Sequence, residues 1–147
     1  MNLYKKTLVL FVVVFTTLIF SSCSKDSDFP NIEEYIQEKG LNTQTTSSGL
    51  QYIIEAQGTA PNPTLSSSIT INYNGYLLNG ESFDSGSNVT FALLTLIQGW
   101  QEGLQLIGSG GKIKLLIPSN LAYGSRGSGS IPPNTDLGFD IDLISVQ

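Results

Sequence analysis

Ile97-Gln98-Gly99-Trp100-Gln101-Glu102-Gly103-Leu104-Gln105-Leu106-Ile107 is the stretch on which the fold turns. Trp100, Leu104 and Ile107 recur at i, i+4 and i+7, while Gln98, Gln101 and Gln105 fall on the opposite side. That is the period of an amphipathic helix. Gly108 closes it, and Ser109-Gly110-Gly111 turns the chain. Around this helix the texture is short strands with a period of two. Upstream, Ser68 to Leu78 sets Ile69, Ile71 and Tyr73 against Thr70, Asn72 and Asn74. Asn79-Gly80 is a strong hairpin signal, Glu81 to Asp84 returns as its partner, and Val89 to Leu93 is a further short strand. Leu50 to Ala56 is a candidate strand nearer the N-terminus. Downstream, Lys112 to Ile117 points Ile113, Leu115 and Ile117 inward, and a glycine-rich loop runs from Leu121 to Pro133. Asp136 to Val146 then alternates Leu137, Phe139, Ile141 and Leu143 with Gly138, Asp140 and Asp142. One helix embedded among five to six strands defines an α+β fold, an antiparallel sheet folded over a single short helix.

The 147 residues leave room for one domain and a leader. Seven Lys/Arg stand against twelve Asp/Glu, a net charge of −5. Without Lys5 and Lys6, which lie in the leader, the balance is 5 against 12, or −7. That sign speaks against nucleic-acid binding, which needs Lys/Arg clusters. With no histidine and one cysteine, a structural zinc site, a Cys/His dyad and a Ser/His/Asp triad are all out of reach. Any catalysis here must work without the usual proton-transfer machinery.

The leader is legible. Lys5 and Lys6 precede Leu8 to Phe20, where only Thr16 and Thr17 interrupt eleven apolar residues, and Ser21-Ser22-Cys23 follows. A basic start, a short apolar core and a small-residue exit describe a secretory signal, and the run is shorter than the about 20 residues of a spanning helix. Phe20-Ser21-Ser22-Cys23 resembles a bacterial lipobox, with Phe20 where leucine is usual, in which Cys23 is acylated and becomes the new N-terminus. Ser24-Lys25-Asp26-Ser27-Asp28 is similar to the surface-export signal of Bacteroidetes lipoproteins, and reads equally as a solvated tether. The chain thus divides into a signal peptide (1–22), a lipid-anchored linker (23–47) and a folded domain (48–147). Within the linker, Asn31 to Lys39 is a short helix started by Pro30 and Asn31 and stopped by Gly40. Asn42 to Ser48 reads as linker again.

Seven strings coincide in order and spacing: Ser48-Gly49-Leu50-Gln51-Tyr52, Tyr73-Asn74-Gly75, Gly80-Glu81-Ser82-Phe83-Asp84-Ser85, Leu96 to Leu104, Ile117-Pro118-Ser119-Asn120-Leu121-Ala122-Tyr123-Gly124, Ile131-Pro132-Pro133-Asn134 and Phe139-Asp140-Ile141. Together they resemble the FKBP family of peptidyl-prolyl cis-trans isomerases, and more closely its exported bacterial members, over about Ser48 to Val146. The resemblance implies a sheet of five or six strands curled around one short helix. It also implies a ligand site between them made by Tyr73, Phe83, Asp84, Ile97, Trp100, Tyr123, Ile131 and Phe139. Trp100 would be its floor, the Tyr123 hydroxyl and Ile97 N–H its donors, and Asp84 a polar group on its wall. Proline-containing polypeptides would be substrates, macrolides of the rapamycin type inhibitors, and no cofactor is implied.

The chemistry suits a chain without histidine. Rotation about an X-Pro bond faces a barrier of about 18–20 kcal/mol set by amide resonance. Lowering it requires favouring a twisted bond, not moving a proton. A dry aromatic cavity strips the carbonyl of the water that favours the planar form and can fit the twisted geometry better than either isomer.

Read singly, Trp100, Phe139 and Ile97 serve equally as core, Tyr73 and Tyr123 as ordinary aromatics, and Asp84-Ser85-Gly86 as a turn. Two departures touch the rim. The segment from Phe91 to Trp100 is about two residues shorter than in well-known eukaryotic members, with Val89 where an aromatic is expected before it, and the tip Gly127-Ser128-Gly129-Ser130 lacks bulk. The rival function is a non-catalytic binding or chaperone module of an envelope complex; a serine hydrolase fails for want of a base. Pro30 to Lys39 is too short for a dimerisation arm, so a monomer is expected, lipid-anchored in the bacterial envelope at the outer membrane.

Overall fold

The computed structural model describes residues 29–147; the signal peptide and Cys23 lie outside the described residues. Six strands form one antiparallel sheet: β1 (Gln44–Thr45), β2 (Gln51–Ala56), β3 (Ser68–Leu77), β4 (Ser82–Ala92), β5 (Gly111–Ile117) and β6 (Leu137–Val146), in the order β1-β2-β5-β6-β3-β4. Two helices accompany it, α1 (Ile32–Lys39) and α2 (Gln98–Leu104). The α+β architecture read from the periodicities is the one observed.

Two faces of the sheet do different work. The inner face packs on α2: Ile113, Leu115 and Ile117 of β5, Phe139 and Ile141 of β6 and Ile69 and Ile71 of β3 enclose Trp100, Leu104 and Ile107, all buried. The helix closes on the sheet because its contact face lacks side chains. A Cβ on Gly99 would stand 2.5 Å from Ile117 Cγ2, and one on Gly103 2.6 Å from a Leu115 methyl. On the outer face Leu116 and Tyr76 carry α1 through Ile32 and Tyr35, a smaller apolar cluster that also takes in Leu78. Leu115 and Leu116 are therefore both buried, one on each face, although an alternating pattern predicts only the first inside.

The short N-terminal helix forms as its caps dictate. Asn31 Oδ1 accepts from Glu34 N at 2.9 Å while Glu34 Oε2 accepts from Asn31 N at 3.1 Å, a reciprocal capping box. Gly40, at φ 62°, ends it in the left-handed conformation.

Three elements differ from the sequence reading. The stretch read as linker supplies β1, which pairs Gln44 with Tyr52 and Thr45 with Gln51. The strands Glu81–Asp84 and Val89–Leu93 are one strand, β4, paired with β3 along its length. Polar Ser85 to Asn88 looks like a turn but is a bulge: Tyr73 faces Gly86 and Ile71 faces Val89, so Asn72 stands opposite two residues. Asn72 Oδ1 holds it, accepting from Asn88 N at 2.7 Å and from Ser87 Oγ at 3.2 Å, with Asn88 at φ 56°. Last, α2 ends at Leu104 rather than Ile107. The carbonyls just past its end are met from outside: Asn62 Nδ2 donates to Gln105 O at 2.9 Å and Gln57 Nε2 to Leu106 O at 2.7 Å.

Candidate active site

Trp100 sits on the inward face of α2, 4 % exposed, and aromatic rings from three strands stand around it. Tyr73 of β3 lies edge-on at 5.2 Å between ring centres, Phe139 of β6 at 5.1 Å and Phe91 of β4 at 6.4 Å. Phe83 of β4 extends the set, edge-on to Phe139 at 5.6 Å. Such edge-to-face contacts each add about 0.5–1.5 kcal/mol beyond burial. Strand alternation explains the convergence: Tyr73 and Phe139 share the inner face with Ile71 and Ile141. Gly75 provides the room. A Cβ there would lie 2.6 Å from the Phe139 ring and 2.8 Å from that of Phe83.

Polar groups gather on one side of this box. The Tyr73 hydroxyl donates to Asp84 Oδ2 at 2.9 Å. Burial first, then the bond to Asp84 and the nearby carboxylate charge, push the Tyr73 hydroxyl up to about 12. Tyr123 is likewise raised, by burial and then by the Asp84 charge, so its hydroxyl lies in the same electrostatic neighbourhood. It makes no hydrogen bond among the described residues and is 37 % exposed, a donor open to solvent. Ile97, extended at φ −60° and ψ 151°, caps α2, and its carbonyl accepts from Trp100 N and Gln101 N. Its own N–H donates to nothing among the described residues. Ile131 is buried in the same cluster as Trp100. Among buried side-chain N and O atoms of the described residues, only Trp100 Nε1 has no hydrogen-bond partner.

Seven of the eight sequence-predicted residues thus fall into one connected region by ring contact, hydrogen bond, charge or chain adjacency. Ile131 joins it through the common core. Phe91 was missed. It is edge-on to Tyr73 at 6.3 Å as well as to Trp100, and supplies the aromatic wall that Val89 lacks. The signal was present: Phe91 shares one face of the strand with Val89 and Leu93, and Leu93 is fully buried.

No group of three or more His, Cys, Asp or Glu side chains among the described residues is placed to hold a metal. What the arrangement offers is an aromatic cluster around Trp100, with the Tyr123 hydroxyl and Ile97 N–H as unengaged donors beside it. An antiparallel sheet over one short helix, with a buried tryptophan beneath an aromatic wall, is the class of site this fold defines.

A model of the FKBP-type peptidyl-prolyl cis-trans isomerase family matches residues 60–144, and the chain belongs to that family. It is 42 % identical over 121 residues to the FKBP-type peptidyl-prolyl cis-trans isomerase FkpA of Aeromonas hydrophila, covering 78 % of this chain and 45 % of that protein. The crystal structure of FkpA from Escherichia coli superimposes with a TM-score of 0.73 at 40 % identity, covering 78 % of this chain and 57 % of that one. A peptidyl-prolyl cis-trans isomerase from Pseudomonas syringae superimposes with a TM-score of 0.71 at 32 % identity, covering 78 % of this chain and 90 % of that one. The chain spans less than half the length of the curated relatives it matches.

Proposed function

We propose that this protein is a peptidyl-prolyl cis-trans isomerase that assists the folding of exported or envelope proteins. The observation that carries this is the edge-to-face aromatic box around Trp100, with Tyr123 O–H and Ile97 N–H unengaged at its edge. A prolyl ring entering this box leaves water, the carbonyl of the residue before it loses the solvent hydrogen bonds that favour planarity, and the free donors hold the flanking backbone. The twisted imide then costs less relative to the planar one. Asp84 accepts from the Tyr73 hydroxyl and so orients that ring. Exchange NMR on an apolar-residue–proline tetrapeptide tests the reading with the chain from Ser24 onward. Accelerated exchange is expected. A folded chain that leaves the rate at its buffer value overturns the enzyme and leaves a non-catalytic binding module.

The leader supports a second part of the proposal: export, acylation at Cys23 and anchoring at the outer membrane of a bacterial envelope, as a monomer. Cys23 is the sole cysteine and follows a short apolar run and two serines. Acyl chains at about 0.8 kcal/mol per buried methylene suffice to hold it there. Labelled palmitate should enter the wild-type protein and not Cys23→Ala, which should leave the membrane fraction. Equal labelling of both proteins would remove the anchor from the proposal. Macrolides of the rapamycin type are candidate inhibitors of the same box, read by competition in the exchange assay.

A further inference from the structure

Residues 93–97 carry the chain from β4 into α2, and the last of them is Ile97, whose N–H is one of the two unengaged donors of the site. This turn is tied down unevenly. At its start Leu93 is fully buried, and its N–H donates to Ser67 O at 3.0 Å. Thr95 Oγ1 donates back to Ala92 O at 2.8 Å, and Leu96 N to Leu93 O at 3.2 Å. The carbonyls of Leu94 and Leu96 are bonded to no main-chain donor among the described residues. One side chain of α2 meets both: Gln101 Nε2 donates to Leu96 O at 2.7 Å and to Leu94 O at 3.0 Å. A primary amide carries two N–H bonds, one for each oxygen. Helical spacing alone puts Gln101 on the solvent side with Gln98 and Gln105. In the structure it is half-buried and reaches back five and seven residues along the chain.

We propose that Gln101 is a positioning residue: by holding the Leu96 carbonyl it fixes the Leu96–Ile97 peptide unit and so aims the free Ile97 N–H at a bound peptide. This deepens the isomerase reading and rests on it. Leu96 O and the Ile97 N–H belong to one planar trans unit, so they point in opposite directions and turn together. Such a unit swings by counter-rotation of the two dihedrals that flank it, here Leu96 ψ and Ile97 φ. After Ile97 the chain is locked, because Ile97 O accepts from Trp100 N at 3.0 Å and from Gln101 N at 3.1 Å. Before the unit it is locked through the Leu96 N–H. The unit between is the loose joint, and the Gln101 amide clamps its oxygen. A second effect has the same sign. A carbonyl that accepts a hydrogen bond polarises its own amide, which strengthens the N–H as a donor. Gln101 therefore acts on the substrate through Ile97 alone.

Three variants of the full chain test this. Gln101→Met keeps the length and the helix propensity and removes the donor. Gln101→Glu keeps the shape and sets a carboxylate against the two carbonyls. Gln105→Met is the control, the same change one turn on, where Nε2 meets Gln101 O at 2.8 Å. In both Gln101 variants the NMR order parameter of the Ile97 amide should fall from about 0.85, the rigid-backbone value, toward about 0.6. Those of Leu93 and Trp100 should stay at wild-type values. The shift of the Ile97 amide on titration with an apolar-residue–proline tetrapeptide should shrink. The specificity constant should fall by about three- to tenfold, the worth of one hydrogen bond. Gln105→Met should match wild type throughout. A wild type without activity would defeat the isomerase reading and remove the kinetic arm. The order parameters and the titration would then decide alone whether Gln101 positions the Ile97 donor. An Ile97 order parameter unchanged in Gln101→Met would overturn the proposal. So would wild-type behaviour of Gln101→Glu, which would mean that the side chain fills space and does not donate. Equal loosening at Leu93 and Trp100, or the same changes in Gln105→Met, would place the effect in α2 at large and overturn it too.

Discussion

Two residues divide the work of the site, and substitutions separate them. Trp100 is floor and core at once, buried among Tyr73, Phe91 and Phe139. Trp100→Ala should cost about 3–5 kcal/mol of stability by leaving a cavity. Trp100→Leu should retain more of the fold while weakening ligand binding. Chemical denaturation together with peptide titration reads both, and an unshifted midpoint for the alanine variant would contradict the burial. Tyr123 instead contributes one open hydroxyl. Tyr123→Phe should leave stability near wild type and lower the specificity constant by only about two- to tenfold, one hydrogen bond's worth. A larger loss would mean that the ring, not the hydroxyl, is what the substrate needs.

At the scale of elements, strands bring the rings together and a missing side chain lets them meet. Gly75 on β3 lies under both Phe83 and Phe139. Gly75→Ala should force both rings aside, at about 1–3 kcal/mol, and should weaken peptide binding. Equal peptide affinity in Gly75→Ala and wild type would show that the two rings are not part of the site. Elements also explain the limits of pattern reading. The residues 85–88 carry Ser, Gly, Ser and Asn, all turn formers, and nothing local says that Asn72 across the ladder will hold them as a bulge. Nor does the sequence near Gln105 show that Gln57 and Asn62, over forty residues away, will cap the helix.

For the whole molecule the relevant variable is pH. Both site hydroxyls are pushed upward by burial and by Asp84, Tyr73 to about 12. They therefore stay protonated donors beyond neutrality, and the isomerisation rate should show no alkaline decline up to about pH 9. A fall beginning near pH 8 would reassign the donors. Stability should move differently. The Asp136 pKa is raised above 3.8 in the folded chain, so the folded state holds that proton more tightly than the unfolded one. Its contribution is full below the unfolded value and is lost as pH rises through the folded one. Thermal midpoints of wild type and Asp136→Asn should therefore diverge in favour of the variant as pH rises from about 4 toward neutrality. Parallel curves would show that the carboxylate is not penalised by its surroundings.

The periodicities by themselves determined the antiparallel sheet over one helix, because a buried face must repeat at two in a strand and at 3.6 in a helix. Tyr73, Trp100 and Phe139 were legible as inward positions for the same reason, while the resemblance carried by the seven strings marked them, with Ile97, as a set. Absence of histidine already excluded a Cys/His dyad and a Ser/His/Asp triad. Only the tertiary structure decided that Phe91 turns toward Trp100, that β4 is continuous through its bulge, and that α1 is part of the fold with Leu116 beneath it. It alone placed Asp136 against the Ser119 N–H. Each of these rests on a contact between distant segments, and such contacts form only where packing across the sheet overrides what neighbouring residues prefer.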